Sequence, residues 1–168
     1  MAWDLPLPSG EVPIEIWTEP NDAPASDFLQ ALLPYFGSGF MSEFTALEPR
    51  FFVWDGAGLN CTQPIPGGPG GGLQCGSQCV NWGLYCAVDP DNDLERGLSG
   101  ADVLGEVVRS DCVFHAANSS SFQRRKRQGG SAATAAGHAS AKWMQYSTKF
   151  AERCLERGYI SPECSTTV

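Results

Sequence analysis

From Glu11 to Thr18 the chain alternates apolar and polar residues once past Pro13, and this period of two predicts a strand with one buried face. Trp17 interrupts the alternation near its end. The turn cluster Glu19-Pro20-Asn21-Asp22-Ala23-Pro24 follows, and Ser26 stands where a helix N-cap belongs, with Asp27 in the first turn. Phe28, Leu29, Leu32, Leu33 and Phe36 then recur on one helical face. Pro34 should end or kink that helix, and Gly37-Ser38-Gly39 supplies a stop. Between Phe44 and Trp54 lies a second strand, best expressed in Arg50-Phe51-Phe52-Val53-Trp54, a continuous apolar run suited to a strand covered on both faces. Strand, helix, strand over residues 11–55 is the minimum for a right-handed crossover and a parallel pair, so the expected class is α/β.

After residue 55 the pattern changes. Residues 56–73 are rich in Gly and Pro, culminating in Pro66-Gly67-Gly68-Pro69-Gly70-Gly71-Gly72, and read as a flexible connector. Residues 74–164 form a cysteine-rich region in which Cys75, Cys79 and Cys86 fall within twelve positions. Cys75 and Cys79 are four apart, so on a helix they share a face. Ser99-Gly100-Ala101-Asp102 resembles a capping box, and Val103, Leu104, Val107 and Val108 continue as a helical stripe that Cys112 extends by a turn. Residues 119–140 are low in complexity, with Arg124-Arg125-Lys126-Arg127 set between Ser, Gly and Ala runs, and predict a mobile insert. Trp143, Ser147, Phe150 and Cys154 predict a core-facing helix that carries a cysteine inward and ends at Gly158. Residues 1–10 are left as an N-terminal linker.

The 168 residues make one domain or part of a larger one. Nineteen Asp and Glu against eleven Lys and Arg give a net charge of −8, which argues against a nucleic-acid binder. The charge is uneven: residues 1–95 hold thirteen acids and a single base, Arg50, whereas residues 96–168 hold ten bases and six acids. No run of apolar residues reaches the length of a bilayer span, and the first residues have neither the basic nor the apolar region of a signal peptide.

Seven cysteines, Cys61, Cys75, Cys79, Cys86, Cys112, Cys154 and Cys164, are too many for idle thiols in a reducing cytosol. Two glycosylation sequons, Asn60-Cys61-Thr62 and Asn118-Ser119-Ser120, add weight to an oxidising, lumenal environment. A lumenal chain without a signal peptide is expected to be a piece of a longer protein. The odd count leaves one sulfur over, either a free buried thiol or one paired with a residue beyond the chain's ends.

Thioredoxin-like oxidoreductases keep Cys-x-x-Cys at the strand-to-helix turn, where the helix N-terminus stabilises the attacking thiolate. That turn here reads Asp22-Ala23-Pro24-Ala25-Ser26 and has no sulfur. Cys75-x-x-x-Cys79 has the wrong spacing for exchange and no adjacent basic activator, which favours a structural disulfide role. Zinc on Cys75, Cys79, Cys86 and His115 lacks a completing Cys-x-x-Cys or His-x-x-x-His. Asp89-Pro90-Asp91-Asn92-Asp93 places oxygens at alternate positions like a calcium loop, but Leu94 replaces the sharp-turn Gly and Gly100 the bidentate Glu, so it reads as an acidic turn. His115 and His138 are too dispersed for a triad, and His115 is packed, surface or pH-sensing. The Arg124–Arg127 run suits a dibasic processing site, an anionic-lipid patch or a solvated loop.

Glu15-Ile16-Trp17-Thr18-Glu19-Pro20-Asn21-Asp22, the block from Gln74 to Asp91, and Gly97-Leu98-Ser99-Gly100-Ala101-Asp102-Val103 together resemble the vacuolar sorting receptors of plants and algae. The likeness continues through Cys112-Val113-Phe114, the Asn118 sequon, Trp143 to Phe150, and Arg153-Cys154 to Glu163-Cys164, covering residues 11–164 apart from the two low-complexity inserts. The resemblance implies the front of a central thioredoxin-like lumenal domain: a partial βαβ with a disulfide-rich helical insertion, without the later half of that fold. It implies a type I membrane receptor of the Golgi and prevacuolar compartments, non-catalytic, that binds sorting signals on soluble vacuolar proteins beside its flanking receptor domains. The family's calcium-binding repeats and membrane span fall outside this chain, so no cofactor is expected in it. Relatives often keep two cysteines in the turn that here reads Ala23 to Ser26. The competing class is a lumenal thiol oxidoreductase of thioredoxin or DsbA type; a third is a cytosolic zinc module. No cargo contact can be named, although the edge of the strand near Ile14 to Trp17 has the geometry to accept a peptide strand.

Overall fold

Alternation does place a strand at the start: β1 (Val12–Thr18) buries Ile16 and Thr18 on one face and leaves Pro13, Glu15 and Trp17 exposed on the other. The computed structural model describes residues 12–38, 41, 44–66, 72–94, 96–126, 133–155, 162–166 and 168, so the linker at 1–10 and the Gly158 stop lie outside it. Trp17 does not break the alternation. It points outward with its neighbours Pro13 and Glu15 and meets Phe52 with 5.6 Å between ring centres.

Helix α1 (Ala23–Gly37) begins earlier than expected, because Asp22 rather than Ser26 caps it: its side chain accepts from the Ala25 N–H at 3.2 Å. Pro24 in the first turn reinforces that start, since its missing N–H would have no helical partner there. Pro34 does not end the helix. Burial of Phe36 holds the last turn, and the Ser38 N–H closes it on the Pro34 carbonyl at 3.0 Å. Leu29 and Phe36 are buried, with Leu32 and Leu33 packed beside them, while Phe28 faces solvent.

The second strand, β2 (Thr45–Phe51), lies within the expected Phe44–Trp54 window but takes only Arg50 and Phe51 of the apolar run, and it pairs in parallel with β1, from Val12 opposite Thr45 to Thr18 opposite Phe51. Pro49 is tolerated inside it because, among the described residues, β2 has no strand on its other side. Phe52 and Val53 leave the sheet exposed, and Trp54 opens β3 (Trp54–Asp55). The helices cover only the Ile16/Leu47 face. The opposite face keeps Glu15, Glu48 and Arg50 in an exposed ion-pair cluster, with Arg50 3.0 Å from Glu15 and 2.9 Å from Glu48.

Within the largely helical cysteine-rich region, the segment that carries Cys79 and Cys86 forms a second sheet. β4 (Cys79–Val80) and β3 flank β5 (Tyr85–Cys86), both antiparallel to it. Cys75 precedes a 3₁₀ turn, Gly76–Gln78, while Cys79 enters β4, so the pair shares no helical face. Nor is the Gly/Pro stretch a free connector where it is described: Gly56 donates to the Leu84 carbonyl, buried Cys61 to that of Gly56, and Pro64 bridges to Leu73.

The capping box forms as read. Ser99 N–H donates to Asp102 at 2.9 Å, Asp102 N–H returns to the Ser99 hydroxyl at 3.3 Å, and α2 (Gly100–Lys126) follows. A Cβ on Gly100 would stand 2.2 Å from the Ala87 carbonyl, so only glycine lets the helix start so close to the small sheet. Val103, Leu104 and Val107 are buried, but the stripe then turns to Ser110, Phe114 and Ala117, leaving Val108 and Cys112 exposed. Helix also occupies much of the stretch expected to be a mobile insert, since α2 runs to Lys126 and α3 (Ala133–Phe150) starts within it; Gln, Arg, Lys and Ala are good helix formers. Trp143 and Phe150 of α3 and Cys154 of the π turn Ala151–Leu155 are buried, as the periodicity predicts. Two cores result: one joins Ile16, Leu47, Leu29, Phe36, Phe114, Trp143 and Met144, and the other joins Ala87, Val103, Leu104, Phe150 and Cys154.

Candidate functional site

Six sulfurs are joined as Cys61–Cys75, Cys79–Cys86 and Cys154–Cys164. Cys112 is the free thiol, and it lies exposed on the outer face of α2 rather than buried. Cys79–Cys86 ties β4 to β5, and Cys61–Cys75 ties the loop before the Gly/Pro run to the 3₁₀ turn. Cys61, Cys75 and Cys79 have sulfurs within 4.8 Å of one another, but each is already spent in an S–S bond and unable to act as a thiolate ligand. His115 stands apart from them, with its Nε2 3.4 Å from Asp111 one turn back along α2.

At the end of β1, where a redox thiol would sit, Thr18, Glu19, Asp22 and Ser26 line a cavity of about 20 Å³ with Glu106, Ser110, Trp143 and Tyr146, room for one water. Its polar wall centres on Glu106, only 1% exposed, which accepts from Tyr146 Oη at 2.6 Å, Ser165 Oγ at 2.6 Å and Arg109 Nε at 2.8 Å. Trp143 Nε1 donates to Ser110 Oγ at 2.9 Å beside it. Burial, and then the Glu106 carboxylate, push the Tyr146 phenol well above its usual range, so it stays a neutral donor. Partial burial and the nearby Asp22 carboxylate raise Glu19. The cavity's lining holds acids, hydroxyls and an indole, and both oxygens of Glu106 are engaged by donors.

The acidic turn is folded by its own carboxylates. Asp89 Oδ1 accepts from the N–H groups of Asp91 and Asn92, and Asp91 accepts from those of Asp93 and Leu98. These backbone donors hold the Asp91 carboxyl below the usual range. Gln78 bridges from Asp89 to the Gly100 N–H, joining turn, small sheet and helix start.

Beside both disulfides lies an open groove of about 590 Å³ lined by Trp54, Leu59, Ile65, Leu73, Val88 and Leu94. The β4–β5 turn next to it holds Asn81, Trp82 and Gly83 at φ of 50°, 58° and 82°, and places Trp82 84% exposed. A Cβ on Gly83 would meet the Cys61 carbonyl at 2.4 Å.

The model of the vacuolar sorting receptor thioredoxin-like domain matches residues 12–168. The chain belongs to the vacuolar sorting receptor family. It is 30% identical to vacuolar-sorting receptor 2 of Arabidopsis thaliana and 29% identical to vacuolar-sorting receptor 1 of Pisum sativum, in each case over 98% of this chain and 23% of the relative. Against vacuolar-sorting receptor 4 of Arabidopsis thaliana the identity is 34% over 68% of this chain and 18% of the relative. The chain therefore spans about a quarter of the length of the first two receptors. No helix among the described residues is long and apolar enough to cross a membrane.

In this vacuolar sorting receptor domain six of the seven predicted sulfur residues divide into two sites, Cys61, Cys75, Cys79 and Cys86 around the small sheet and Cys154 with Cys164 beyond α3, while Cys112 belongs to neither. Asn60, at φ 61° in the turn before Cys61, and Asn118 on α2 are both exposed, as sequon use requires. The side chains of His138, Arg124, Arg125 and Lys126, and the whole of Arg127, lie outside what is described. Sequence reasoning missed Glu106 and the groove. A lone Glu within an apolar stripe signals a solvated position unless its donors, 40 and 59 residues away, are known.

Proposed function

We propose that this chain is a non-catalytic, lumenal part of a cargo receptor that helps to bind sorting signals on soluble vacuolar proteins during Golgi-to-vacuole transport. The observation that carries the reading is the state of the sulfurs in a member of this family: six are bonded to one another, and the helix start that would serve a redox thiol is capped by Asp22 and built from Ala, Pro and Ser. The chain works from the lumen of the Golgi and prevacuolar compartment as part of a type I membrane protein, with flanking receptor domains as neighbours. Three disulfides and two exposed sequons support that placement. Docking is reversible, and cargo is released as the lumen acidifies. Calcium belongs to other parts of the receptor.

The test is retention of a soluble vacuolar protein on the immobilised, oxidised chain, against the same protein with its sorting signal deleted. Signal-dependent capture near neutral pH and elution on acidification are expected. Absence of capture together with turnover in an insulin-reduction assay, lost in a Cys75→Ser/Cys79→Ser variant, would replace this reading with the thiol oxidoreductase.

A further inference from the structure

The two disulfides of the small sheet are close enough to trade partners. The sulfurs of Cys61, Cys75 and Cys79 all lie within 4.8 Å of one another, although Cys79 is bonded to Cys86 and the other two to each other. A new S–S bond forms at about 2 Å. A Cys79 sulfur freed from Cys86 therefore has less than about 3 Å to travel, within the swing of its own side chain.

Burial gives such an exchange a direction. Cys75 and Cys79 are half-buried, whereas Cys61 and Cys86 are only 2% and 4% exposed. Backbone walls in the Cys86 sulfur: a Cβ on Gly56 would stand 2.6 Å from it, and the Gly83 carbonyl lies 3.7 Å away. All four cysteines line the same open groove, so a thiol arriving from solvent meets the Cys79 side of that bond first. A thiolate leaves most readily where water reaches it, because apolar burial raises a thiol's pKa. That favours Cys75 over Cys61 as the sulfur expelled when their bond is attacked.

We propose that Cys79 is the relay of a thiol–disulfide exchange site, which takes a dithiol as its reactant and delivers a free thiol at Cys75. One thiolate of the dithiol attacks Cys79 Sγ, and the electron pair of the broken bond leaves on Cys86, which takes up a proton and can donate it to the Gly83 carbonyl. The second thiolate attacks the first, closing the oxidised dithiol and expelling Cys79 as a thiolate; together these steps reduce Cys79–Cys86 by two electrons. Cys79 then attacks Cys61 Sγ. The Cys61–Cys75 bond breaks, Cys61–Cys79 forms, and the electron pair leaves on Cys75, which is protonated from solvent. This last step involves no net oxidation, and the small sheet keeps one crosslink throughout. The proposal stands apart from the receptor reading, since it moves a bond within the chain and turns over no second substrate.

The test is a time course of the full, oxidised chain with about one equivalent of dithiothreitol, stopped with acid, alkylated with N-ethylmaleimide and mapped by mass spectrometry of non-reduced peptides. A Cys61–Cys79 peptide is expected, with label on Cys75 and Cys86. Cys79→Ser, which leaves Cys61–Cys75 bonded, should slow the labelling of Cys75 about five-fold or more relative to that of Cys164 in the same chain. If that variant fails to fold, the map of the unaltered chain decides alone. The proposal is overturned if Cys79 and Cys86 are both labelled while Cys61–Cys75 stays intact, if Cys75–Cys79 appears in place of Cys61–Cys79, or if Cys75 is labelled as fast in a folded Cys79→Ser chain. It also falls if the Cys61–Cys79 peptide vanishes in a Cys112→Ser chain, which would assign the exchange to the exposed thiol of α2.

Discussion

Glu106 is an acid that solvent hardly reaches, yet three donors from three parts of the chain converge on it: Arg109 one turn along α2, Tyr146 on α3 and Ser165 in α4 (Pro162–Ser165). Removing it leaves a phenol, a hydroxyl and a guanidinium to find new partners, so Glu106→Leu should cost about 3 kcal/mol in urea unfolding and Glu106→Gln clearly less. Glu19 works in the opposite sense. Its folded pKa is raised, so the stability it contributes is full below its unfolded value near 4.5 and is lost as pH rises through the folded value. Glu19→Gln should therefore stabilise the chain near pH 7, with a gain that shrinks towards about pH 4; thermal melts across that range read the effect. Single residues were the least legible scale. Ser110 and Glu106 look like surface positions on α2 until their partners on α3 are brought across the helix pair, and those contacts leave no local trace.

At the level of elements, periodicity served well wherever one face is buried. It located β1, the inner face of α1 and the Trp143–Phe150–Cys154 stripe, because burial itself creates those patterns. It placed β2 within Phe44–Trp54, where it lies, but centred it too late, since Phe52 and Val53 are apolar without being buried and Pro49 is acceptable on an unpaired edge. It also extended the α2 stripe to Val108 and Cys112, when the packed face had drifted to Ser110 and Phe114. The small sheet was illegible because its strands are two residues long and its turns depend on left-handed backbone. Gly83 is the tightest of these turns. Gly83→Ala meets both a φ of +82° and the Cys61 carbonyl, so it should lower stability by about 2 kcal/mol or more and reduce correct Cys61–Cys75 pairing, as counted by mass spectrometry of non-reduced peptides.

The whole molecule divides its stability between two unlike sources. The β1-α1-β2 unit with α2 and α3 rests on aliphatic and aromatic burial, whereas among the described residues of segment 52–99 the buried apolar ones are Cys61, Cys86 and Ala87. The small sheet is held by sulfur in place of a hydrocarbon core. Closing loops with sequence separations of 14 and 7 contributes on the order of 2–3 kcal/mol each in the chain-entropy picture. Mild reduction should consequently unfold the small sheet first, seen as exchange of the Gly56, Ala87 and Leu84 amides, while the helical part keeps its far-ultraviolet signal. The cysteine count and the family likeness made that oxidised character legible from composition, but the pairing emerged only with the topology.

Trp143 gives this division an optical signature. Its indole is 0% exposed and its N–H is held by Ser110, whereas Trp82 stands almost wholly in water at the tip of its hairpin. Opening of the hydrocarbon half therefore hydrates a sealed indole and reddens the emission, whereas loss of the small sheet leaves Trp82 in the water it already occupies and Trp143 blue.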